Sequence, residues 1–371
     1  MSPFAHITGW GMAVPQRIVT NAELALRIDT SDEWIQSRTG IRERRVASED
    51  QTTASLGVDA AQRALDMARL KPADLDLIIV ATSSPEHIFP ATACLVQDRL
   101  GASKAGAFDL LAACSGFIFA LNMGTQAIRT GAVKNALIIG AETLSRIVDW
   151  NDRNTCVLFG DGAGAFVLQA SPEQGGVISA VMRSDGSGGD LLILPGGGSR
   201  IPATHKSVQA GQHYVQMNGR EVFRFASRVL GQATEEAVKK AQLSLDEINL
   251  IIPHQANQRI IEAALRGLDF PVERCVINLD RYGNTSTASI PIATCEAVQQ
   301  GRLKPGDKVV FVGFGGGLTW GAAVVVWSAP LPAARRVMPY RYRLYARLRS
   351  MIKRLMRRLD VLVWGRRNPY L

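Results

Sequence analysis

Residues 75–79 read LDLII, and residues 248–252 repeat the pattern as INLII. The first overlaps the short apolar run LIIVAT at residues 77–82, which is bounded by turn residues as buried strands are. A second pair of similar stretches, TGAVK at 130–134 and QGRLK at 300–304, is separated by 170 residues. The repetition predicts a duplicated structure, although two generic strand–helix units could also look alike by chance.

Strand-like and helix-like segments alternate along the rest of the chain. Further apolar runs lie at residues 136–140 and 308–312. Helical patterns occupy residues 53–69, 116–131, 222–243 and 287–301. This alternation predicts an α/β fold with a largely buried sheet. We divide the chain into two α/β halves and a tail, with the boundaries 1–170, 171–330 and 331–371.

The composition is that of a globular protein. Of 371 residues, 47% are hydrophobic and 20% are charged, and no stretch approaches the roughly 20 apolar residues of a membrane span. The N-terminus lacks the basic-then-apolar pattern of a secretion signal. The five cysteines form no CxxC pair, so we expect neither a disulfide framework nor a metal site. A reducing cytoplasm is the expected location.

The net charge of +9 is concentrated at one end of the chain. Residues 331–371 contain twelve Arg or Lys and one acidic residue, whereas the other 330 residues contain 30 basic and 32 acidic side chains. The body is therefore close to neutral, and the basicity belongs to the tail.

A candidate nucleophile lies where an apolar run meets a predicted helix start. Residues 109–117 read DLLAACSGF and contain Cys114. The positive end of a helix lowers the pKa of a cysteine and favours the reactive thiolate, so we expect a lowered pKa for Cys114. A free cysteine can also be simply a small buried apolar residue.

Two later segments supply candidate partners. Residues 252–257 read IPHQAN and contain His254, and residues 282–286 read YGNTS and contain Asn284. A neutral imidazole and an amide could both donate hydrogen bonds to a developing negative charge. The alternatives are a satisfied core histidine and an ordinary turn asparagine. Adding the offset of 170 to Cys114 gives Asn284, so we expect two equivalent turns to deliver both residues to one site.

Together these motifs resemble a known family. Residues 112–117, 253–257 and 283–286, with FGGGLTWG at 314–321, resemble β-ketoacyl-acyl carrier protein synthase III, a condensing enzyme of the thiolase superfamily. The resemblance extends from about residue 4 to residue 327. It implies a thiolase-like duplicated fold with a layered α-β-α-β-α core.

The resemblance implies a reaction in two stages. Cys114 would take a short acyl group, expected to be acetyl, from acyl-CoA and form an acyl-enzyme. Malonyl-acyl carrier protein would then lose carbon dioxide, with His254 and Asn284 donating to its thioester oxygen. The N–H groups of Cys114 and Gly316 would form the oxyanion hole. The product would be a 3-oxoacyl-acyl carrier protein that initiates fatty acid synthesis, with CoA thioester as substrate and no bound cofactor.

The resemblance also implies a CoA site. Residues 30–44 match the CoA-binding segment of the family, and Trp34 and Arg153 would hold the adenine between them. Asn154 departs from the glycine that is usual there. A core tryptophan and surface arginine pairs are the alternative reading. The implied CoA-binding residues are Thr30, Trp34, Arg38, Arg153, Gly219 and Asn257.

Three further surfaces follow from the resemblance. The implied acyl pocket contains Phe89, Leu191 and Phe314, and Phe89 would reach the neighbouring site across a homodimer interface. The acidic carrier protein would dock on a basic surface, because opposite charges speed association. The implied docking residues are Arg224, Gln255, Arg259 and Arg266, although an ordinary solvated helix face is the alternative.

Other functional classes fit less well. A cysteine protease also uses Cys, His and Asn, but nothing around Cys114 resembles a protease motif. A thiolase proper would need a second cysteine in the Gly-rich segment 315–317. The glycines at 160–164 precede an apolar strand and not a helix, which excludes a dinucleotide loop. A CoA-thioester hydrolase and a related condensing enzyme of specialised metabolism, with another acyl donor or acceptor, remain alternatives.

The tail predicts a basic amphipathic helix after Pro330 and Pro332. Apolar residues recur at steps of three and four, and basic residues lie mostly on the other side. Such a helix can bind an anionic membrane surface, which would place the protein on the inner face of the membrane. Docking of an acidic partner, or packing on the body, are the alternatives, and nothing supports nucleic acid as a partner. The apolar set is Leu344, Leu348, Met351, Leu355, Leu359 and Leu362, closed by Trp364, and the basic set is Arg343, Arg347, Lys353, Arg354, Arg357 and Arg358.

Overall fold

The computed structural model describes residues 3–329 and 339–364. The strands are β1 Phe4–Ala13, β2 Ile18–Thr20, β3 Glu43–Arg45, β4 Leu77–Ala81, β5 Gly106–Leu110, β6 Asn135–Glu142, β7 Gly162–Ser171, β8 Gly176–Ser184, β9 Leu192–Ile193, β10 Gln216–Met217, β11 Leu250–Pro253, β12 Lys308–Gly315 and β13 Thr319–Val326. The helices are α1 Asn21–Ala25, α2 Asp32–Thr39, α3 Thr53–Ala68, α4 Thr92–Leu100, α5 Gly116–Arg129, α6 His205–Gln209, α7 Gly219–Lys240, α8 Gln258–Gly267, α9 Leu279–Tyr282, α10 Ser289–Gln299 and α11 Pro339–Trp364. The predicted strands and helices are confirmed, including the strand that follows the glycines at 160–164.

The first half contains a five-stranded mixed sheet in the order β1-β7-β6-β4-β5. β4 pairs in parallel with both β5 and β6, whereas β7 is antiparallel to β6 and β1. β4 and β6 are buried on both faces, as their continuous apolar sequences predict.

The second half repeats this order in a sheet β8-β13-β12-β11. β11 is parallel to β12, and β13 is antiparallel to both β12 and β8. An isolated parallel bridge joins Ile251 to Cys275, at the place that the edge strand β5 occupies in the first sheet. The chain therefore has a duplicated α/β fold.

Helices separate and cover the two sheets. α5 and α10 contact strands of both sheets and form the middle layer, whereas α3 covers the first sheet and α7 covers the second. These are the five layers expected of a thiolase-like fold. The predicted boundary between residues 170 and 171 falls at the end of β7 and stays a prediction.

The equivalence predicted between Cys114 and Asn284 is wrong in register. The 3₁₀ turn that precedes α5 spans Ala113–Ser115, and the turn that precedes α10 spans Ser286–Ala288, an offset of 173 residues. Thr287, and not Asn284, is therefore the counterpart of Cys114. The offset of 170 holds only after the helices, because α10 has 11 residues and α5 has 14.

A glycine lets the second turn approach the first sheet. A Cβ placed on Gly140, near the end of β6, would lie 2.5 Å from the carbonyl oxygen of Thr287. Real Cβ atoms do not come so close to oxygen, so a side chain here would displace the turn. This contact brings the turn Ser286–Ala288 next to the end of β6 and towards Cys114.

The tail contains the predicted helix, α11. Its described side chains are those of residues 344–359; Arg343, Leu362 and Trp364 have side chains outside the described set, and Pro330 and Pro332 lie outside the described residues. Among the residues that the structure describes, no helix is long and apolar enough to cross a membrane.

Candidate active site

Cys114 lies in the 3₁₀ turn between the end of β5 and the start of α5. Its side chain is buried, with 7% of its surface exposed. Ala113 before it has a φ of 45°, a left-handed conformation that non-glycine residues rarely adopt. A hydrogen bond of 2.9 Å from Ser115 Oγ to Thr319 Oγ1 ties the turn to the first residue of β13, just after the Gly-rich segment. The cysteine is thus held in one position by a local turn and a distant hairpin.

The Gly-rich segment lies against the backbone of the cysteine. A Cβ placed on Gly315 would be 2.6 Å from the Cys114 backbone nitrogen, and one on Gly316 would be 2.8 Å from the carbonyl oxygen of Leu192. Only glycine permits these approaches. This packing places Gly315 beside the Cys114 backbone, and the oxyanion hole from the N–H groups of Cys114 and Gly316 stays a prediction.

The expectation of a lowered pKa for Cys114 is wrong. Burial raises the pKa of the thiol to about 12, and the nearby Glu142 carboxyl adds to this, whereas a hydrogen bond from Ser286 lowers it. Desolvation penalises the thiolate more than the thiol, because the buried site offers little water to stabilise the charge. The free site therefore holds a thiol, which has to lose its proton as it attacks.

His254 directly follows β11 and is 1% exposed. Burial lowers the pKa of the imidazole to about 3, so the ring is neutral near pH 7. Its Nδ1 lies 2.7 Å from Ser289 Oγ, and Ser289 Oγ also accepts the N–H of Gln255 at 3.3 Å. Because that oxygen already accepts one hydrogen bond, we assign the Ser289 hydroxyl as the donor and Nδ1 of His254 as the acceptor. The single N–H proton of the neutral imidazole is then on Nε2.

The Nε2 atom of His254 is buried and has no hydrogen-bond partner among the described residues. An unpaired buried donor costs roughly 1–3 kcal/mol of stability, so such a group calls for a functional explanation. The ring also packs edge-on against Phe314, with the centroids 5.4 Å apart. His254 thus offers a rigid, neutral hydrogen-bond donor.

Asn284 has a similarly defined orientation. Its Oδ1 accepts the backbone N–H of Ser286 at 2.8 Å, so the Nδ2 group is left to donate. Its backbone N–H donates to Leu158 O at 2.8 Å, and its carbonyl accepts the N–H of Gly160 at 3.0 Å. The backbone of Asn284 is therefore held on both sides and its side-chain amide has a defined orientation, and a catalytic role for it stays a prediction.

Residues 284–289 connect the three candidate residues. Ser286 interacts with the thiol of Cys114 and with Asn284, and Ser289 interacts with His254. The structure thus brings Cys114, His254 and Asn284 around a single short segment. One nucleophile and two hydrogen-bond donors at one place can form a covalent thioester and stabilise an enolate.

Sequence reasoning missed a buried carboxyl group beside this segment. Glu142, at the end of β6, accepts hydrogen bonds from Ser84 Oγ at 2.5 Å, Thr82 Oγ1 at 3.2 Å and the N–H groups of Ser83 and Ser84. Burial raises the pKa of Glu142 to about 7, and a hydrogen bond from Ser286 opposes this. The sequence did carry a signal for this residue, because an acidic side chain just after the apolar run 136–140 is unusual in a buried strand.

A cavity of about 1060 Å³ contains most of the predicted CoA-binding residues. Trp34, Arg38, Arg153, Gly219 and Asn257 line it. Thr30 does not line it; its hydroxyl is buried and has no hydrogen-bond partner within the described part of the chain. Leu158 also lines the cavity. Because the Leu158 carbonyl binds the Asn284 N–H, the inner wall of the cavity adjoins the candidate residues.

Trp34 and Arg153, the predicted adenine-stacking pair, contact each other directly and leave no space between them for a base. The guanidinium carbon of Arg153 lies 4.8 Å from the centre of the Trp34 ring, and Nη1 donates to the carbonyl of Asp29 at 2.7 Å. To place an adenine between them, the distance from the guanidinium to the Trp34 ring would have to be about twice the usual stacking distance. Arg153 would therefore have to move outward before the predicted sandwich could form.

The predicted acyl-pocket residues lie in different surroundings. Phe314 is buried against His254, and Leu191 is half-buried beside Leu192, which contacts Gly316. Phe89 is 85% exposed and reaches none of these groups within the single chain.

One predicted docking residue is incorrect. Gln255 is 1% exposed, and its amide donates to the carbonyls of Pro253 and Val276 while its Oε1 accepts the N–H of Asn278. A side chain so completely bonded inside the core cannot contact a carrier protein.

The three docking arginines are on the surface. Arg224 has a side chain that is 69% exposed and pairs with Glu221 at 2.9 Å. Arg259 lines the mouth of the large cavity, and Arg266 lines a second cavity of about 450 Å³. Their role in docking stays a prediction.

Comparison with known proteins gives consistent matches over most of the chain. Residues 108–186 match the family 3-Oxoacyl-[acyl-carrier-protein (ACP)] synthase III, and residues 238–327 match the C-terminal family of the same enzymes. The chain is 54% identical over 329 residues to a beta-ketoacyl-[acyl-carrier-protein] synthase III of Roseiflexus sp. (strain RS-1), covering 89% of this chain and 100% of the relative.

Solved structures match in the same way. The 3-oxoacyl-[acyl-carrier-protein] synthase III from Aquifex aeolicus VF5 superposes with a TM-score of 0.81 at 46% identity, covering 87% of this chain and 100% of that one. The priming beta-ketosynthase from the R1128 polyketide biosynthetic pathway superposes with a TM-score of 0.83 at 34% identity, covering 89% and 98%. The second family match ends at residue 327, so it does not include the tail from residue 331 onward.

Proposed function

Because the chain belongs to the 3-oxoacyl-[acyl-carrier-protein] synthase III family, we propose that Cys114, His254 and Asn284 are its catalytic residues. The protein is an acyltransferase, a condensing enzyme that starts fatty acid synthesis. It joins an acyl-CoA to malonyl-acyl carrier protein and releases CoA and carbon dioxide. The proposed steps need no cofactor beyond the CoA thioester that serves as substrate.

In the first stage, the sulfur of Cys114 attacks the acyl carbon of the CoA thioester. The bond between that carbon and the CoA sulfur breaks, and the proton of the thiol leaves with CoA, so charge and atoms balance. The N–H groups of Cys114 and Gly316 stabilise the oxyanion of the tetrahedral intermediate. Since burial raises the pKa of the thiol, proton loss has to accompany formation of the sulfur–carbon bond.

In the second stage, the malonyl thioester loses carbon dioxide and becomes an enolate. Its negative charge develops on the thioester oxygen, to which His254 Nε2–H and Asn284 Nδ2–H donate. The enolate carbon then attacks the acyl carbon on Cys114 and displaces the cysteine sulfur, which takes a proton from solvent. Two neutral donors suit this step, because they stabilise the enolate without protonating it.

The observation that carries the proposal is the arrangement around residues 284–289, which contact all three side chains. The test is to offer the protein acetyl-, isobutyryl- and octanoyl-CoA in competition and to locate the acyl group by peptide mass spectrometry. We expect a short acyl group, predominantly acetyl, on the peptide that contains Cys114.

The other results of this labelling experiment are distinct. Preference for octanoyl-CoA would contradict a short primer and favour the specialised type of condensing enzyme. Release of free acid faster than condensation product would favour a thioester hydrolase. The absence of label on Cys114 from every donor would overturn the assignment of the nucleophile.

Trp34 and Arg153 are proposed to hold the adenine of CoA. Removing the ring in Trp34→Ala removes a stacking contact worth about 0.5–2 kcal/mol, so we expect KM for acyl-CoA to rise about 2- to 30-fold. We expect kcat to stay within about twofold, because the contact is the same in the ground state and the transition state. Steady-state kinetics with varied acetyl-CoA measures both parameters.

An acyl-pantetheine donor is the matched control for Trp34→Ala, since it carries the same thioester without the nucleotide. Its KM should be equal for the variant and the unchanged protein. A rise of the same size with both donors would show that Trp34 acts by supporting the structure and not by binding adenine.

The carrier protein is proposed to dock at the mouth of the cavity. Arg259 and Arg220 line the cavity, and Arg224 is exposed on α7. Arg266 extends this basic surface along α8. An acidic carrier protein would be steered there by charge, which mainly raises its association rate.

A homodimer is also proposed, with β5 at its interface. β5 is the edge strand of the first sheet, and exposed edges readily pair with another chain. Ile88, Phe89 and Leu111 near this edge are 82%, 85% and 76% exposed. In a dimer, Phe89 would leave water and close the acyl pocket of the neighbouring protomer.

We also propose that the protein works in the cytoplasm and that its C-terminal tail meets an anionic membrane surface. The charge distribution supports this proposal, since residues 331–371 carry twelve basic side chains and a single acidic one. Anionic headgroups attract such a segment at short range.

A further inference from the structure

Helix α11 docks on the body through one narrow face. Ala346 and Ser350 are 2% and 8% exposed. Ser350 Oγ donates to Asp98 Oδ2 at 2.7 Å, and a Cβ on Gly101 would lie 3.2 Å from the Ala346 Cβ. Arg354 adds an ion pair of 3.7 Å with Asp98. The helix is therefore attached to the C-terminal end of α4 by small and polar side chains.

The large apolar side chains of α11 do not take part in this docking. Eight of them are 46% to 67% exposed: Leu344, Tyr345, Leu348, Met351, Ile352, Leu355, Met356 and Leu359. At 3.6 residues per turn they occupy an arc of about 140° that is nearly opposite Ala346 and Ser350. Burying a small face while exposing a large apolar face is the reverse of what a helix does when it packs on its own core.

Basic side chains border this apolar arc. Arg347, Arg354 and Arg358 project at one edge, and Arg349 and Lys353 project at the other. None of the residues 344–359 is acidic. A surface of this size, apolar in the middle and cationic at both edges, marks an interaction site.

We infer that α11 lies flat on an anionic lipid bilayer, with its apolar arc in the headgroup–acyl boundary and its body-facing side on α4. An apolar arc with a cationic border is the pattern of interfacial helices, in which long basic side chains reach the headgroups while their stems stay apolar. A second copy of α11 fits this face poorly, because its cationic borders would repel the same borders on the first. The docking contact fixes which side of the body faces the lipid.

This inference rests on the membrane contact proposed above for the tail, and it is independent of the proposed catalytic roles, since no residue of α11 is assigned to the reaction. Its test is therefore a binding measurement on the full chain. The protein is sedimented with vesicles of phosphatidylcholine alone and with vesicles that also contain phosphatidylglycerol. We expect pelleting with the anionic vesicles, little with the neutral ones, and a decrease as salt is added.

The double variant Leu348→Ser with Leu355→Ser removes two central residues of the apolar arc and leaves the docking contacts in place. Its affinity for anionic vesicles should fall at least about tenfold. Leu26→Ser with Val208→Ser is the matched control, because these side chains are 88% and 61% exposed on the body. It should bind vesicles like the unchanged protein. Both variants should retain activity with soluble substrates, which shows that they fold.

Three results would overturn the inference. The first is failure of the unchanged protein to pellet with anionic vesicles. The second is equal pelleting of the Leu348→Ser/Leu355→Ser variant. The third is a change of oligomeric state in that variant without lipid, by analytical ultracentrifugation, which would assign the apolar arc to contact between copies of the chain. If the variant in the second result also lost binding of the carrier protein, the apolar arc would be assigned to the carrier protein and not to lipid.

Discussion

Cys114→Ala should lose acyl transfer from acyl-CoA by at least about 10³-fold and form no acyl-enzyme, while it still decarboxylates malonyl-acyl carrier protein. Only the sulfur can carry the acyl group, so its removal eliminates the first stage. The two proposed donors stay in place, because His254 is held by Ser289 and Asn284 by Ser286. Intact-protein mass spectrometry measures acylation, and release of labelled carbon dioxide measures decarboxylation.

The matched control is Cys94→Ala, which removes an exposed cysteine outside the site. It should be acylated and should condense at the rate of the unchanged protein. If Cys114→Ala still accumulated an acyl-enzyme, another residue would be the nucleophile. If it lost decarboxylation as completely as acylation, the two stages would not be separable in the way proposed.

The strands and the order of the motifs could be read from the sequence because they depend on local pattern. The run at residues 77–82 is apolar and bounded by turns, and β4 forms there; β11 forms at the similar stretch that begins at residue 248. The sequence did not show which residue of the second half is equivalent to which residue of the first. This equivalence depends on helix length, and three residues fewer in α10 than in α5 were enough to misplace the counterpart of Cys114.

The supporting residues of the site were not predictable from local pattern. Ser289 reaches His254 across 35 positions of the sequence, and Ser286 lies between Cys114 and Glu142 only because of how the two halves pack. Burial misled the sequence analysis twice. It raises the pKa of Cys114 where a helix start predicts a decrease, and it removes Gln255 from the surface.

Removal of either proposed donor should impair decarboxylation more than acylation. His254→Ala should slow carbon dioxide release about 10²- to 10³-fold, the usual effect of losing one oxyanion donor. Asn284→Asp is the sharper variant for the amide, because it keeps an oxygen to accept the Ser286 N–H but replaces the Nδ2 donor. It should slow the same step by a similar factor. Acyl-enzyme formation should fall no more than about tenfold in either variant.

The pH dependence of this step distinguishes a neutral donor from a cationic one. With the pKa of His254 lowered to about 3 by burial, about 99% of the imidazole is neutral at pH 5. Decarboxylation by Cys114→Ala should therefore show no transition near pH 6.5. Burial raises the pKa of Glu142 to about 7, so Cys114→Ala with Glu142→Gln identifies any transition that belongs to that carboxyl.

A transition near pH 6.5 that survives Glu142→Gln would mean that His254 titrates in the site and is not the buried neutral donor proposed. His205→Ala is the matched control for loss of an imidazole, since His205 is exposed at the start of α6, and it should change neither step. Loss of the acyl-enzyme in Asn284→Asp with decarboxylation intact would reverse the assignment of Asn284. The two donors act on the same oxygen, so their removal together should cost less than the product of the separate effects.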